Sequence, residues 1–442
     1  MPPQLLLTGG QLLQLDRRGM ITARHADLLI ENGVVRRVAP RLADDFPGVR
    51  RLDASGCLVM AGLTNAHTHS PENLAAGFCD GMRLEGWLDA VWGRLDHLSG
   101  EEIRLAVLSG VAQMLKQGVT AVVDHFRQTP MSIEAFESAA SAYRESGIRA
   151  VIAVMARDRV DDSGRLIGAR TGGAPLSLEA TRELWTEMAR RHAPGSRVAL
   201  GIGPSGPTRC STGMLELAAE LAERYPLFLH THVAETRLEA ETATSLYGCR
   251  SVQHLADVGF LGLRTSLAHC VWVDEAEIGL ISRSGAVVAH NPVSNMVLGS
   301  GIAPVDAMLQ AGARVALGTD GAASNGAQDM LETVKCAALL ARCGTADPQR
   351  WLSAGAVLAM ALEGGRRIFG MDLANLAEGA VADVAAFEVP DIALDEFSDP
   401  VRQFVYGARS PARHVVVGGE ALVVDGSITS FDEPAQSQLK GR

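Results

Sequence analysis

The pattern of hydrophobic and polar positions along the chain changes at about residue 60. Before that point, short segments alternate apolar and polar side chains and are separated by Gly, Asp and Asn. Such alternation predicts strands with one buried face, here in a small antiparallel β unit. The predicted strands are Gln4–Thr8, Gln11–Leu15, Ala26–Glu31 and Gly33–Ala39.

Beyond Gly62, short apolar runs alternate with longer helical stretches. This order is typical of a parallel sheet built from βα units, and eight such strands predict a closed (β/α)₈ barrel. The first run ends near Asn65, and the others are Val119–Phe126, Ile148–Ala156, Arg197–Gly203, Leu227–His232, Ser266–Val271, Ala286–His290 and Arg314–Thr319. Helices are predicted between runs at Glu101–Gln117, Ile133–Ser146, Leu178–Arg191 and Met214–Arg224.

The C-terminal part returns to short β runs after a last long helix. The helix is predicted at Trp351–Phe369, and the β runs at Ala382–Glu388, Val401–Tyr406 and Val415–Val424. Neither end of the chain carries enough apolar surface for a core of its own, so we expect the two ends to pair. The predicted α/β fold is a distorted (β/α)₈ TIM barrel at 61–371 with a small β-sandwich domain formed by 1–60 and 372–442.

Composition adds limits on partners and compartment. The chain has 442 residues, is 47% hydrophobic and 21% charged, and carries a net charge of -11 that is spread along its length. A nucleic acid or another polyanion is therefore not expected as a partner. Seven scattered cysteines without a Cys-x-x-Cys pair argue against a disulfide framework and indicate a reducing compartment. Without a signal-peptide pattern or a long apolar run, we expect a cytoplasmic protein with no membrane span.

Residues able to bind a metal or transfer a proton occur where the predicted barrel strands end. They are His67, His69, His125, His232, His269, His290 and Asp320. In a strand, side chains two residues apart share a face, so His67 and His69 can converge on one ion. Any one of the histidines alone, or His230, would more simply be a buried imidazole bonded to backbone. As a set they predict an active site at the C-terminal face of the barrel.

Five stretches around these residues occur in the order of the strands. They are Gly62-Leu-Thr-Asn-Ala-His-Thr-His69, His230-Thr-His-Val-Ala-Glu-Thr236, Ala268-His-Cys270, His290-Asn-Pro-Val-Ser-Asn295 and Leu317-Gly-Thr-Asp-Gly-Ala-Ala-Ser-Asn325. With them, the chain resembles the metal-dependent amidohydrolase superfamily, in the branch of triazine hydrolases and aminohydrolases of purine-like and pterin-like rings. The resemblance implies a barrel flanked by a β domain from both termini, and one divalent ion, usually zinc, held by residues matching His67, His69, His232 and Asp320.

The residue types suit this chemistry. Three neutral imidazoles and a carboxylate suit Zn²⁺, or Fe²⁺, with a position left for water whose pKa falls to roughly 7. Glu235 lies three residues beyond His232, where it can move protons between water, ring nitrogen and leaving group; the alternative is a glutamate placed by the helix dipole. The resemblance implies that His269 orients the water together with Asp320, whereas residue types alone leave His269 open as a fourth ligand.

The fourth predicted strand bears on the number of metals. In binuclear members of the superfamily, a carboxylated lysine at the end of this strand bridges two ions. Here the strand ends in Gly203-Pro-Ser-Gly-Pro207, without a lysine. One ion per chain is therefore expected.

Candidate substrate contacts are less specific. Glu85 resembles the glutamate that nucleoside-type deaminases of this branch use on a ribose. Ser205, however, stands where methylthioadenosine and S-adenosylhomocysteine deaminases carry a histidine that contacts the purine, which puts adenine nucleosides in doubt. Further candidates at the catalytic face are Glu72, Asn73, His290, Arg83, Arg127 and Arg209, although Asn73 can instead cap a turn and arginines usually only solvate a surface.

We therefore predict a mononuclear zinc-dependent hydrolytic deaminase. It would replace an exocyclic amino group on a nitrogen heterocycle by hydroxyl and release ammonia. The same site could instead expel chloride or an alkylamine from a triazine or open a cyclic amide, and a catalytically silent ligand-binding barrel is a further alternative. A small heterocyclic molecule is the expected partner, and a homodimer or higher homo-oligomer is expected because relatives commonly form one.

Overall fold

The computed structural model describes residues 4–15, 21–160, 175–192, 195–389, 399–407 and 410–434. Seven described strands precede the barrel. They are Gln4–Thr8 (β1), Gln11–Leu15 (β2), Ile21–His25 (β3), Asp27–Glu31 (β4), Val34–Ala39 (β5), Arg50–Asp53 (β6) and Cys57–Ala61 (β7). The order β5-β4-β1-β6 forms a four-stranded sheet, while β2, β3 and β7 join a second sheet described below.

Eight parallel strands form the centre of the molecule. They are Leu63–Thr68 (β8), Val119–Phe126 (β9), Arg149–Ala156 (β10), Val198–Pro204 (β11), Phe228–Val233 (β12), Thr265–His269 (β13), Val287–His290 (β14) and Arg314–Leu317 (β15). Each strand bonds to the next along the chain. The backbone N–H of Asp320 donates to the carbonyl of His67 over 2.9 Å, which brings the last strand back to the first and nearly closes the barrel.

Helices follow the barrel strands on the outside or cover the ends of the barrel. They are Leu84–Trp92 (α1), Gly100–Lys116 (α2), Ile133–Ser146 (α3), Leu178–Arg191 (α4), Thr212–Arg224 (α5), Arg237–Tyr247 (α6), Ser251–Asp257 (α7), Glu275–Ser284 (α8), Pro292–Val297 (α9), Val305–Gln310 (α10), Ala322–Asn325 (α11), Met330–Cys343 (α12) and Ala354–Ile368 (α13), with 3-10 turns at Ser70–Ala75, Gly93–Leu95 and Pro348–Arg350.

Local sequence explains where several of these helices begin. Ser99 and Asp274 each form a capping box with the glutamate three residues later, at the starts of α2 and α8. Ser132 and Ser177 accept a backbone hydrogen bond at the starts of α3 and α4. Such caps satisfy N–H groups that have no partner inside the helix. The predicted helices Ile133–Ser146 and Leu178–Arg191 match α3 and α4 at both ends.

The two ends of the chain meet in a seven-stranded sheet of order β19-β18-β17-β16-β7-β2-β3. Its C-terminal strands are Val384–Glu388 (β16), Ala412–Val417 (β17), Glu420–Val424 (β18) and Ser427–Ile428 (β19). Strand β16 pairs antiparallel with β7, so the N-terminal and C-terminal segments form one sheet beside the barrel. The predicted fold class, a barrel with sheets from both termini, is confirmed. The domain boundaries after residues 60 and 371 stay a prediction.

Two details of the predicted β regions are wrong. The N-terminal unit is mixed and not purely antiparallel, because β1 pairs parallel with β6 and β2 pairs parallel with β7. The intervening strands supply the crossover that a parallel pair needs. The segment Val401–Tyr406 is not a strand but lies in a helix, Pro400–Tyr406 (α14).

The sequence of α14 explains its helical conformation. The side chain of Asp399 accepts hydrogen bonds from the backbone N–H groups of Val401 and Arg402, and Pro400 occupies the first helical turn. Proline is favoured there because its missing N–H would have no partner. Val401, Phe404 and Val405 are buried, a spacing that fits one helical face. In the part of the chain that the structure describes, no helix has the length and apolar character needed to cross a membrane.

A buried ion pair joins the barrel to the seven-stranded sheet. Arg149, the first residue of β10, donates from Nε and Nη2 to the two carboxylate oxygens of Asp383 over 2.7 and 3.0 Å. Asp383 is fully buried and also accepts from the backbone N–H of Gly418 over 2.7 Å. Because the side chain of Arg149 is only 11% exposed, losing Asp383 would leave a guanidinium without its counter-ion.

We predict that Asp383→Ala lowers the free energy of unfolding by about 3–5 kcal/mol, because breaking one side of a buried ion pair strands the other charge. Urea unfolding monitored by circular dichroism measures the change. Arg182→Ala is the control, since Arg182 pairs with Glu220 at the exposed surface and such pairs contribute at most about 1 kcal/mol. A loss in Asp383→Ala no larger than in the control would contradict the role assigned to the pair.

Candidate metal centre and active site

Four side chains predicted as metal ligands lie together at the C-terminal face of the barrel. His67 and His69 lie at the end of β8, His232 near the end of β12, and Asp320 three residues after β15. All four are buried. The Nε2 atoms of His67 and His69 lie 3.2 and 3.4 Å from Asp320 Oδ1. Residues from three strands far apart in sequence thus converge on one point.

Hydrogen bonds fix the tautomers of two of these histidines. Nδ1 of His69 donates to the carbonyl of His125 over 2.7 Å, and Nδ1 of His232 donates to the carbonyl of Ser205 over 2.5 Å. Their Nε2 atoms therefore carry bare lone pairs in the neutral rings, and these two atoms lie 3.2 Å apart. Nitrogens that bind a tetrahedral zinc at 2.0–2.1 Å lie about 3.3 Å from each other. The observed separation fits a shared ion.

His67 completes the set of nitrogens. Its Nε2 is buried and faces Oδ1 of Asp320 at 3.2 Å, while its Nδ1 lies 2.7 Å from Nε2 of His230. A buried ring nitrogen needs a partner, and a cation between it and the carboxylate would supply one. Burial lowers the pKa of His67, and it lowers that of His69 to about 3, a direction that favours the deprotonated rings that bind metal ions.

Asp320 is held in place on both oxygens. The backbone N–H of Gly321 donates to Oδ1 over 2.8 Å, and the hydroxyl of Ser294 donates to Oδ2 over 2.7 Å. Burial would raise the pKa of Asp320, but His67, His269 and His69 outweigh it and hold this pKa well below its usual range. The φ angle of Asp320 is 61°, a left-handed conformation that is rare outside glycine and is found at functional sites.

His269 and Glu235 lie on the other side of Asp320. Nε2 of His269 is 3.5 Å from Oε2 of Glu235 and 3.8 Å from Oδ2 of Asp320. Nδ1 of His269 bonds Oδ1 of Asn295 over 2.9 Å, so this nitrogen carries the proton in the neutral ring and Nε2 faces the two carboxyl groups. The arrangement can pass a proton between an imidazole and a carboxyl group.

The surroundings of Glu235 bring the pKa of its carboxyl group close to neutral pH. Burial raises the pKa of Glu235 to about 7; Glu239 and Asp320 add to this effect, while His269 opposes it. Ser300 donates to Oε1 of Glu235 over 3.3 Å. Burial lowers the pKa of His269, but Glu235 and Asp320 outweigh this effect and raise it overall. A carboxyl group with a pKa close to 7 can both accept and release a proton at neutral pH.

Two predicted substrate contacts lie close to this centre. Glu85 on α1 is exposed, and its Oε1 accepts a hydrogen bond of 3.3 Å from the hydroxyl of Thr236, the residue after Glu235. Glu72 is buried, accepts from Trp92 Nε1 over 3.3 Å, and packs against Gly321 so closely that a Cβ there would lie 1.7 Å from its Oε2. Burial and then the charge of Asp320 raise the pKa of Glu72 well above its usual value.

The other candidates are bound to protein groups. Asn73 donates to the carbonyl of Ala106 and accepts from Gln328, inside the 3-10 turn Ser70–Ala75. His125 donates from Nε2 to the carbonyl of Gly203 over 2.9 Å.

The remaining candidates differ in their exposure. His290 is the buried last residue of β14, and burial lowers its pKa to about 3. Arg127 is buried against Asp96 and the ring of Trp92, whereas Arg83 is exposed. Arg209 and Ser205 are buried and bonded to each other.

Sequence reasoning assigned no role to several residues that hold the site. Ser294 and Asn295 belong to the motif that starts at His290, and their adjacent polar side chains within it were the available signal. His230 was interpreted as a core histidine, although its Nε2 contacts His67. Glu239 lies in the first turn of α6, four residues after Glu235, and its carboxylate accepts the backbone N–H of Glu235. The Thr-x-x-Glu spacing of Thr236 and Glu239, typical of a helix start, was the available signal.

The fold and these side chains define a metal-dependent barrel hydrolase. A model described as the amidohydrolase family matches residues 58–422. The chain is 33% identical over 438 residues to a 5'-deoxyadenosine deaminase from Methanothermobacter thermautotrophicus, covering 98% of this chain and 96% of that protein. It is 35% identical over 428 residues to a 5-methylthioadenosine/S-adenosylhomocysteine deaminase from Syntrophobacter fumaroxidans, covering 95% and 93%.

Solved structures give the same result for the fold. Atrazine chlorohydrolase from Arthrobacter aurescens complexed with zinc superimposes with a TM-score of 0.88 at 26% identity, covering 98% of each chain. An adenosine deaminase from Xanthomonas campestris with bound zinc has a TM-score of 0.85 at 24% identity, covering 98% of this chain and 95% of that one. The protein belongs to the amidohydrolase family. This confirms the predicted superfamily, and the relatives also support the predicted class of function, a hydrolytic deaminase.

We predict that His232→Ala abolishes metal retention, because it removes one of the two Nε2 atoms that face each other. Metal analysis after gel filtration should find about one ion per chain in the parent protein and only a trace in the variant. His192→Ala is the control, since His192 bonds Glu137 away from the centre. Full metal content in His232→Ala would mean that another set of residues holds the ion.

Proposed function

We propose that the protein is a hydrolytic aminohydrolase that replaces the amino group of an adenosine-type nucleoside by hydroxyl and releases ammonia. The observation that carries the proposal is the placement of Glu235 and His269 beside the cluster of His67, His69, His232 and Asp320. Deaminase relatives that match almost the whole chain support the reaction type. Zinc as the ion, one per chain, a cytoplasmic location and a homodimer or higher homo-oligomer are parts of the same proposal.

The chain's own residues can carry the protons of this reaction. His67, His69, His232 and Asp320 would hold the ion, which polarises a water molecule and lowers its pKa towards neutrality. His269 Nε2 and the carboxylate of Asp320 are placed to orient that water. Glu235, with a pKa of about 7, would take one proton from the water and deliver it to the ring nitrogen; a second proton, from the newly added hydroxyl group, would then pass through Glu235 to the leaving amino group. A carbon–oxygen bond forms, the carbon–nitrogen bond breaks, and ammonia leaves.

Residues at the rim of the site support a nucleoside as the substrate. Glu85 lies one hydrogen bond from Thr236, next to Glu235, so its carboxylate is available to hydroxyl groups of a molecule that enters above the catalytic residues. Carboxylates accept paired hydroxyl groups well because both oxygens are acceptors. Ser205 offers no ring nitrogen to a purine and is already bonded to Arg209, so recognition of the base must come from other groups.

Triazine hydrolysis is the second candidate. The structural similarity to atrazine chlorohydrolase supports it, because the two chains superimpose over almost their full length. The same proton carrier would serve, since a triazine nitrogen also needs a proton when chloride or an alkylamine leaves. The relatives that match most of the chain at higher identity are named deaminases, which favours the nucleoside.

We predict that Glu235→Gln keeps the metal and loses turnover by at least about 100-fold, because the amide cannot carry a proton and general acid–base catalysis is worth 10²–10⁴. Ammonia release and metal content are measured on the same sample. Glu220→Gln, at the exposed surface of α5, is the matched control. A normal rate in Glu235→Gln would refute the assigned proton transfer, whereas loss of metal would place Glu235 in the metal site.

A panel of candidate substrates tests whether the protein acts on a nucleoside. We expect the metal-loaded protein to release ammonia from 5'-deoxyadenosine, 5'-methylthioadenosine or S-adenosylhomocysteine, and to leave atrazine unchanged. In Glu85→Gln, KM for the nucleoside should rise about 10-fold or more, because hydrogen bonds to a charged group are worth about 1.5–3 kcal/mol. Adenine, which lacks a ribose, serves as the internal control and should be unaffected. Chloride release from atrazine with no ammonia from nucleosides would contradict the nucleoside proposal and support triazine hydrolysis instead.

A further inference from the structure

Arg209 lies on the loop between β11 and α5, on the catalytic side of the barrel. An arginine in this place is an obvious candidate to bind an acidic substrate, but its guanidinium is directed at protein groups. The residue is only 5% exposed. Nη1 donates to Oε1 of Glu239 in a short ion pair, Nε donates to the hydroxyl of Ser205 over 3.1 Å, and Nη2 donates to the Ser205 carbonyl over 3.2 Å.

Each partner of Arg209 contacts a residue of the catalytic centre. Oε2 of Glu239 accepts the backbone N–H of Glu235 over 2.9 Å. The carbonyl of Ser205 accepts a hydrogen bond from Nδ1 of His232 over 2.5 Å. One buried guanidinium is thus connected, through one residue on each side, to the carboxyl that moves protons and to a metal ligand.

We infer that Arg209 and Glu239 are positioning residues that fix Glu235 and His232 in place relative to each other. Glu235 follows Ala234, whose φ angle of 45° is a left-handed conformation, so its backbone needs an external bond to stay in place. Glu239 supplies that bond from the first turn of α6. On the other side, the Ser205 carbonyl keeps the proton of His232 on Nδ1, which leaves Nε2 bare for an ion.

The local packing leaves little freedom for this network. Gly206 has a φ angle of 159°, and a Cβ there would lie 3.2 Å from both Nη2 of Arg209 and the carbonyl of His232. A larger residue at this position would push the guanidinium and the strand end apart. The planar guanidinium also bonds Ser205 and Glu239 at the same time, which the single ammonium of lysine cannot do with the same geometry.

The inference rests on the proposed function only for its effect on turnover; its effect on the metal is independent of the substrate. Two other roles for Arg209 give different results. A direct substrate contact affects KM, and a purely structural ion pair affects stability alone. A positioning role affects kcat and metal retention, with KM largely preserved.

The test uses Arg209→Gln, Arg209→Lys and Glu239→Gln in the metal-loaded protein. Metal release into excess chelator, followed by a colorimetric indicator, should be about 10- to 100-fold faster in Arg209→Gln, because residues that orient metal ligands have effects of this size. With a nucleoside that releases ammonia, kcat should fall about 10- to 100-fold in Arg209→Gln and Glu239→Gln, with KM within about threefold. Arg209→Lys should recover only part of either loss.

Arg149→Gln is the matched control, because it breaks a buried arginine–carboxylate pair at the other end of the barrel. It should lower the melting temperature and leave metal release and kcat unchanged. A raised KM with normal kcat in Arg209→Gln would instead make Arg209 a substrate contact. Loss of stability alone, as in the control, would make it structural, and either result overturns the inference.

Two further outcomes are also decisive. If Arg209→Gln does not fold, Glu239→Gln decides, since its amide oxygen still accepts the N–H of Glu235 but no longer pairs with the guanidinium. Normal metal release and normal kcat in Glu239→Gln would then overturn the inference. If no nucleoside yields ammonia, the proposed function fails, while chelator release still tests whether Arg209 orients His232.

Discussion

Two lone pairs that face each other in a buried place are the constraint on which this active site depends. The Nε2 atoms of His69 and His232 face each other at 3.2 Å, and neither carries a hydrogen in the neutral ring. The Nδ1 atom of each ring donates a hydrogen bond to a backbone carbonyl. Without a cation between them, these atoms repel, and no water separates them at that distance. Binding of a divalent ion would remove this repulsion, so the strand ends that hold the rings in place would also create the affinity for the proposed ion.

The carbonyls and side chains behind the proposed metal ligands are as much a part of the site as those ligands themselves. His125 and Ser205 set two tautomers through their backbone, and Ser294 holds Asp320. Asn295 has the corresponding effect on His269, because it keeps the proton on Nδ1. These contacts come from strands and loops next to the ligand strand, which is why a barrel with adjacent strand ends suits such chemistry.

Much of the fold and the candidate site could be predicted because both follow from simple periodicities. Buried parallel strands must be apolar throughout, so His67 and His232 stand out where a strand ends. The prediction failed at Val401–Tyr406, where a short apolar run fits either a strand or one face of a helix. Asp399 and Pro400 decide for the helix by satisfying its first turn, a cap signal that the apolar pattern alone does not contain.

The sequence by itself determined the eight-stranded barrel, the pairing of the two chain ends and the residues that gather at the C-terminal face, because burial and strand direction dictate these features locally. Only the tertiary structure decided what each side chain touches. Arg209 bonds Glu239 and Ser205, and Asn73 bonds Ala106 and Gln328. Such contacts depend on the packing of elements far apart in the chain, and the direction of a long side chain is set by the partners it meets there.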